Sequence, residues 1–98
     1  MGMNVGILTI RLRLPENMSL KGKRQVVKSL VAQLQNRFRV SAAEVADNDL
    51  WQLATVAAAF ISNDNRFTNE VLSKAQSFVE KGNFDAEFLE YQMEIIPL

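Results

Sequence analysis

Hydrophobic positions alternate with polar ones near the start of the chain and then recur at helical spacing. Alternation from Val5 to Leu14 predicts a half-buried strand that Pro15 ends. Its two faces carry Leu8, Ile10, Leu12 and Leu14 on one side and Ile7, Thr9, Arg11 and Arg13 on the other. Ser19 is a favourable N-cap, and apolar residues then recur every three or four positions. This spacing predicts a helix that ends at about Arg39.

The second half of the chain repeats this succession after a short strand and a turn. Val40–Ala46 is a short strand candidate, Asp47–Asp49 signals a turn, and Trp51–Ile61 reads as a strand that is apolar on both faces. Ser62–Asn65 can cap a second helix, which Gly82 ends. A last strand is predicted from Phe84 to Ile96.

The predicted order is therefore βαββαβ, which indicates an α+β protein with a ferredoxin-like fold. In this arrangement two helices cover one face of a four-stranded antiparallel sheet. A length of 98 residues suits one such domain over residues 1–98 and leaves no room for a second core.

The apolar strand Trp51–Ile61 has one face for the helices and one for the open side of the sheet. We expect Trp51, Leu53, Ala57, Ala59 and Ile61 to face the helices, which makes Trp51 a core residue. The alternative for Trp51 is an exposed platform on which a base could stack. Val56, Ala58 and Phe60 then point outward beside Ile7. Because an exposed apolar patch tends to be covered, Ile7, Val56 and Phe60 are predicted to form a homodimer interface.

The residue types limit the chemistry that the protein can perform. The chain has neither His nor Cys, so a Ser–His or Cys–His nucleophile pair is impossible. Asp47 and Asp49 form a DxD pattern that suits either a divalent cation or an Asx-rich turn, and the absence of a nearby third ligand favours the turn. We therefore expect no catalytic residues, no metal and no cofactor, and a protein that is not an enzyme.

The sequence also predicts the cellular compartment of the protein. The longest apolar run, Val56–Ile61, is far too short to cross a bilayer, so no membrane partner is expected. The first residues acquire arginines where an export signal would carry its cleavage site. Together with the absence of cysteine, these observations predict a cytoplasmic protein.

Positive and negative charges are unevenly distributed along the chain. Residues 1–40 hold eight basic residues and one acid, a net charge of +7, whereas residues 41–98 hold three basic residues and ten acids, a net charge of −7. Such a division can mark a basic working face, or it can mean that the two halves pair with each other after folding. The sequence leaves both possibilities open.

The first turns of the predicted first helix carry charges of the unfavourable sign. Lys21, Lys23 and Arg24 lie where the helix dipole favours acids, with Lys28 one turn further along. A phosphate at this end would relieve the conflict, so these four residues are predicted to bind RNA, with Arg11 and Arg13 as secondary contributors. The alternative is a solvated helix face that acids of the second half partly neutralise. The aromatic signature of an RNA-recognition motif is absent from the first and third strands, so contacts to phosphates are expected rather than base readout.

Four segments in order, "SLKGKRQVVKSL", "NRFRVSAAEV", "DNDLWQ" and "SND", resemble the YlxP-like family of small bacterial proteins. The resemblance extends from the first strand to the end of the second helix. It implies a ferredoxin-like fold and an association with the ribosome and small-subunit maturation, without a reaction. Where the family usually has "SLKEKR", this chain has Gly22 in place of the glutamate that would complete a capping box.

These observations together predict a non-enzymatic, cytoplasmic RNA-binding protein whose partner is ribosomal RNA or the small ribosomal subunit. The alternative is a dimeric protein-interaction module of the translation apparatus that does not touch RNA.

Overall fold

Six elements follow one another in the predicted order. The computed structural model describes residues 2–16 and 18–98. The elements are β1 (Asn4–Arg13), α1 (Leu20–Phe38), β2 (Ser41–Ala46), β3 (Leu53–Ser62), α2 (Asn65–Lys81) and β4 (Glu87–Pro97). The largest difference from the sequence prediction is at β4, which was expected from Phe84 and begins at Glu87.

The strands form one antiparallel sheet in the order β2-β3-β1-β4, and both helices pack on the same face of it. This is the ferredoxin-like arrangement that the sequence predicted. The face of the sheet that the helices leave uncovered is called the open face below. No helix in the described ranges is both long enough and apolar enough to cross a membrane.

Local side-chain chemistry sets the helix ends. The Ser19 hydroxyl accepts the backbone N–H of Gly22 at 3.0 Å, so Ser19 is the N-cap of α1 as predicted. Asp64 caps α2 by accepting the backbone N–H groups of Arg66 and Phe67. Arg39 adopts left-handed backbone angles with φ 56° and donates its N–H to the Gln35 carbonyl, which ends α1.

The core lies between the sheet and the helices, and Gly6 lets α2 approach β1 closely. A side chain at Gly6 would overlap Thr68 and Leu72 of α2. Beside this contact the fully buried Thr68 hydroxyl donates to Asn4 Oδ1 at 2.7 Å and lies 2.6 Å from the Ser62 hydroxyl. The buried apolar residues are Leu8, Ile10, Leu12, Leu14, Val27, Leu30, Leu34, Val40, Ala54, Val56, Ala58, Leu72, Ala75 and Val79.

The prediction of which β3 residues face the helices is wrong. Val56 pairs with Ile10 of β1 and shares its buried side, where Val56 is only 1% exposed. Phe60 lies on the same side and packs edge-on against Phe67 of α2 with ring centroids 5.5 Å apart. Val56 and Phe60 therefore cannot form the predicted dimer interface, although Ile7 does lie on the open face.

The open face of β3 instead carries the residues that were assigned to the core. They are Leu53, Ala57, Ala59 and Ile61, and Thr55 lies on the same face. Trp51 precedes the strand and is 52% exposed, so its assignment to the core is also wrong. The apolar side chains on both faces of β3 carry no periodic signal, and the register against β1 determines which face is buried.

Candidate nucleic-acid interface

Lys23 is a buried structural residue. Its side chain is fully buried, and its ammonium donates to the backbone carbonyls of Asp47 and Leu53, the latter at 2.9 Å. The same nitrogen lies 2.8 Å from Glu44 Oε2. The prediction that Lys23 binds a phosphate is corrected, because the ammonium has no access to solvent.

Arg11 and Arg13 lie on the open face, where acids of the second half meet them. Arg13 Nη2 lies 2.7 Å from Glu87 Oε2, directly across the β1–β4 pairing. Arg11 lies 3.5 Å from Glu90 and 3.9 Å from Asp47. Both arginine side chains are about half exposed, so these pairs contribute little to stability. Their charge is nevertheless largely balanced in place.

The uneven charge along the chain is thus partly resolved by folding. Arg11, Arg13 and Lys23 each pair with an acid from the second half. Arg37 is placed over the Phe78 ring at 4.5 Å from its centroid. Some of the basic residues of the first half therefore pair with acids after folding, whereas others form a basic surface that no acid balances.

The unbalanced surface is a stripe on α1. Lys21, Arg24 and Lys28 are exposed, and none of them forms an ion pair or hydrogen bond with any residue that the structure describes. They lie at positions i, i+3 and i+7 on the side of the helix opposite its buried residues. The helix contains no acid. These three residues are called the basic stripe below.

The six basic residues predicted to bind RNA therefore do not form one surface. The basic stripe points away from the sheet, whereas Arg11 and Arg13 lie on the open face at the other side of the molecule. Lys23 lies between the two, inside the protein. Direct contact with one phosphate group by all six is excluded by this geometry.

The loop between β2 and β3, residues 47–52, contacts both α1 and the open face. Lys23 of α1 donates to the Asp47 carbonyl, and Arg11 of the open face lies 3.9 Å from the Asp47 carboxylate. Asp47 has left-handed backbone angles with φ 63°, and its carboxylate accepts the Thr55 hydroxyl at 2.7 Å. Asp49 is exposed. Among the described residues no group of three or more potential ligands is placed to hold a metal ion. The geometry at Asp47 is that of a turn residue with hydrogen-bond partners.

Glu44 is a key partner that the sequence reasoning missed. It follows the alternation of β2 onto the helix side, and a bulge directly after it leaves Val45 unpaired. The burial of Lys23 could have been predicted from the sequence, because Lys23 precedes Val27 by four residues and Leu30 by seven. That spacing places it on the buried stripe of α1.

Comparison with known proteins agrees with the sequence resemblance. The curated relative "Uncharacterized protein YlxP" from Bacillus subtilis (strain 168) is 34% identical over 62 residues, which cover 63% of this chain and 67% of the relative. Residues 5–93 match the family described as "Protein of unknown function (DUF503)". Since this match covers nearly the whole chain, the protein belongs to the DUF503 family.

Proposed function

We propose that the protein is a non-enzymatic, cytoplasmic RNA-binding protein that contacts RNA phosphates through the basic stripe. The observation that carries this proposal is that Lys21, Arg24 and Lys28 stay exposed and unbalanced while other basic residues of the first half acquire partners. The free fold gains nothing from their charges, which repel each other and, at Lys21, oppose the helix dipole. An RNA phosphate would relieve both costs.

The resemblance to YlxP-like proteins supports the small ribosomal subunit or its RNA as the partner. Contacts from lysine and arginine to phosphates read the shape of the RNA backbone and little of its sequence. Structured ribosomal RNA offers closely spaced phosphates along its helices, and a row of cations along α1 suits such a target. Arg11 and Arg13, which already have acidic partners, are at most secondary contributors.

The test compares two triple variants that remove the same charge from different helices. K21Q/R24Q/K28Q removes the basic stripe, and R66Q/K74Q/K81Q removes three exposed basic residues from α2. Binding to purified small subunits and to free ribosomal RNA is measured across a potassium chloride series. We expect the stripe variant to bind more weakly and the salt slope to fall by roughly 0.7 to 0.9 for each phosphate that the variant no longer neutralises.

The α2 variant should retain most of the affinity, because it keeps the basic stripe. Since both variants lose three positive charges, they have the same net charge and differ only in where the charge is removed. Equal losses in the two variants would show that net charge alone drives binding. Unchanged affinity in the stripe variant would contradict the proposal.

A homodimer through the open face is a second candidate, supported by one row of aliphatic residues. Val5 of β1 pairs with Ile61 on one side and Ile96 on the other, so three aliphatic side chains stand side by side across three strands. Ile61 is 65% exposed. Ile7 and Ala59 extend this apolar area along the sheet. A second copy packed on this surface would cover it, with the interface formed by Val5, Ile7, Ile61 and Ile96 in place of Val56 and Phe60.

A further inference from the structure

Trp51 stands exposed on a loop that the rest of the protein holds tightly. The backbone carbonyls of Asp47, at the start of the loop, and of Leu53, directly after it, both accept from the buried Lys23 ammonium. Within the loop, the Leu50 N–H donates to the Asp47 carbonyl at 3.0 Å. The loop is therefore anchored to the first turn of α1, and Lys23 acts as a positioning residue for it.

A second set of hydrogen bonds ties the loop to the end of β1. The Leu14 N–H donates to the Gln52 carbonyl at 2.9 Å, and Gln52 Nε2 donates to the Pro15 carbonyl at 3.3 Å. With its backbone held on both sides, Trp51 presents about half of its side-chain surface to solvent at a small cost in conformational entropy. Such an arrangement is typical of a recognition residue.

The surroundings of Trp51 suit a nucleotide base. Trp51 lines a shallow depression together with Arg13, Leu50, Gln52 and Leu53. Among the described residues that line this depression, none is acidic. Arg13, whose charge Glu87 balances, lies at its edge, and the indole supplies a flat apolar surface on which any base can stack.

The depression lies at the end of the molecule where the basic stripe begins. Lys21 and Arg24 flank Lys23 in the first turns of α1, and Lys23 is hydrogen-bonded to this loop. An RNA backbone that follows the stripe toward the helix N-terminus therefore arrives at the loop.

From this placement we infer that Trp51 stacks on an unpaired base of the RNA whose phosphates contact the basic stripe. The inference rests on the proposed function and adds a substrate class to it: RNA in which an unpaired loop or bulge adjoins a helix. A fully paired duplex offers the stripe its phosphates but offers Trp51 no base.

The experiment uses a hairpin RNA with a uridine loop and the same hairpin with abasic nucleotides in the loop. The two keep the same phosphates and differ in the bases. Trp51 is the single tryptophan of the chain, so tryptophan emission reports on it alone. We expect the uridine hairpin to quench this emission and the abasic hairpin to bind without quenching.

Affinities of variants complete the test. Trp51→Ala should weaken binding of the uridine hairpin by about 5- to 150-fold and leave the abasic hairpin unaffected. Trp51→Phe should recover part of this loss. Tyr91→Ala, which removes another half-exposed aromatic side chain from the far edge of the sheet, is the matched control and should bind normally.

The outcomes separate the two proposals. Equal binding of both hairpins by the wild type and by Trp51→Ala, with weaker binding only in K21Q/R24Q/K28Q, would overturn the stacking inference and leave the proposed function intact. Absence of binding to either hairpin at low salt would overturn both. Trp51→Ala binding RNA normally while failing to bind a protein partner would likewise overturn the inference, because the loop would then be a protein-binding surface.

Discussion

Lys23 Nζ lies 2.8 Å from Glu44 Oε2, and this ion pair joins α1 to β2 inside the protein. The lysine is fully buried, and the glutamate side chain is 13% exposed. The ammonium also satisfies two backbone carbonyls that bracket the β2–β3 loop. One residue of the basic helix start thus organises the loop, while its neighbours Lys21 and Arg24 face solvent.

Replacing Lys23 by methionine should destabilise the protein by about 3–5 kcal/mol, because Glu44 is left as an uncompensated buried charge. The double variant K23M/E44L should be more stable than Lys23→Met alone, since it buries no charge. It should still fall short of the wild type, because the two carbonyls lose their donor. Urea unfolding measures all three free energies.

Lys28→Met is the control for the Lys23 prediction, because it makes the same change on the exposed side of α1 and should alter stability by less than about 0.5 kcal/mol. A Lys23→Met protein as stable as the wild type would show that the ion pair is unimportant.

Gly22→Glu should stabilise the protein and weaken its binding to RNA. The acid would complete the capping box with Ser19, favour the helix dipole and replace a poor helix former, a gain of about 1 kcal/mol. It would also place a negative charge beside Lys21. Thermal unfolding and titration with ribosomal RNA measure the two effects.

Gly22→Ala separates these contributions, since it improves helix propensity without adding charge. We expect a more stable protein with unchanged affinity for RNA. A Gly22→Glu protein that binds RNA as tightly as the wild type would argue against phosphates at this helix start.

Gly6→Ala should destabilise the protein by roughly 1–3 kcal/mol, because the added methyl group overlaps Thr68 and Leu72 where α2 crosses β1. Gly2→Ala is the matched control, since a methyl group there meets no atom within 4 Å. Chemical denaturation of both variants tests this, and equal stabilities would mean that α2 can shift without cost.

Ile61→Glu should convert a dimer to a monomer without loss of stability, because Ile61 lies on the open face and is largely exposed. Phe60→Glu, one residue earlier, should instead unfold or strongly destabilise the chain, since Phe60 packs on the helix side. Sedimentation velocity at micromolar concentration distinguishes the two. A wild-type protein that sediments as an 11.1 kDa species would rule out the dimer.

Much of the fold could be predicted because the signals are local. The alternation of β1 separated Leu8 and Ile10 from Arg11 and Arg13 correctly, since one face of that strand is buried and the other is not. Ser19 could be identified as a cap because its side chain bonds a backbone group three residues away. Element order, caps and one strand's faces depend on near neighbours in sequence.

The candidate site was less accessible to the same reasoning. The sequence prediction treats the basic residues at the start of α1 as one exposed group. Lys23, however, lies on the same side of the helix as the buried Val27 and Leu30. A buried lysine is rare enough that a charged residue is taken as exposed by default. The partner that makes its burial possible, Glu44, lies on another strand and is not identified by any local pattern.

The sequence alone determined the order of the elements, the family and the separation of charge between the two halves of the chain. Tertiary structure decided which of those charges are balanced and which face of β3 is buried. The reason is that both depend on strand register: pairing of Ile10 with Val56 turns Val56 into the core, and pairing of Arg13 with Glu87 balances a charge. Register is set by contacts between residues far apart in the chain, so no local pattern in the sequence reveals it.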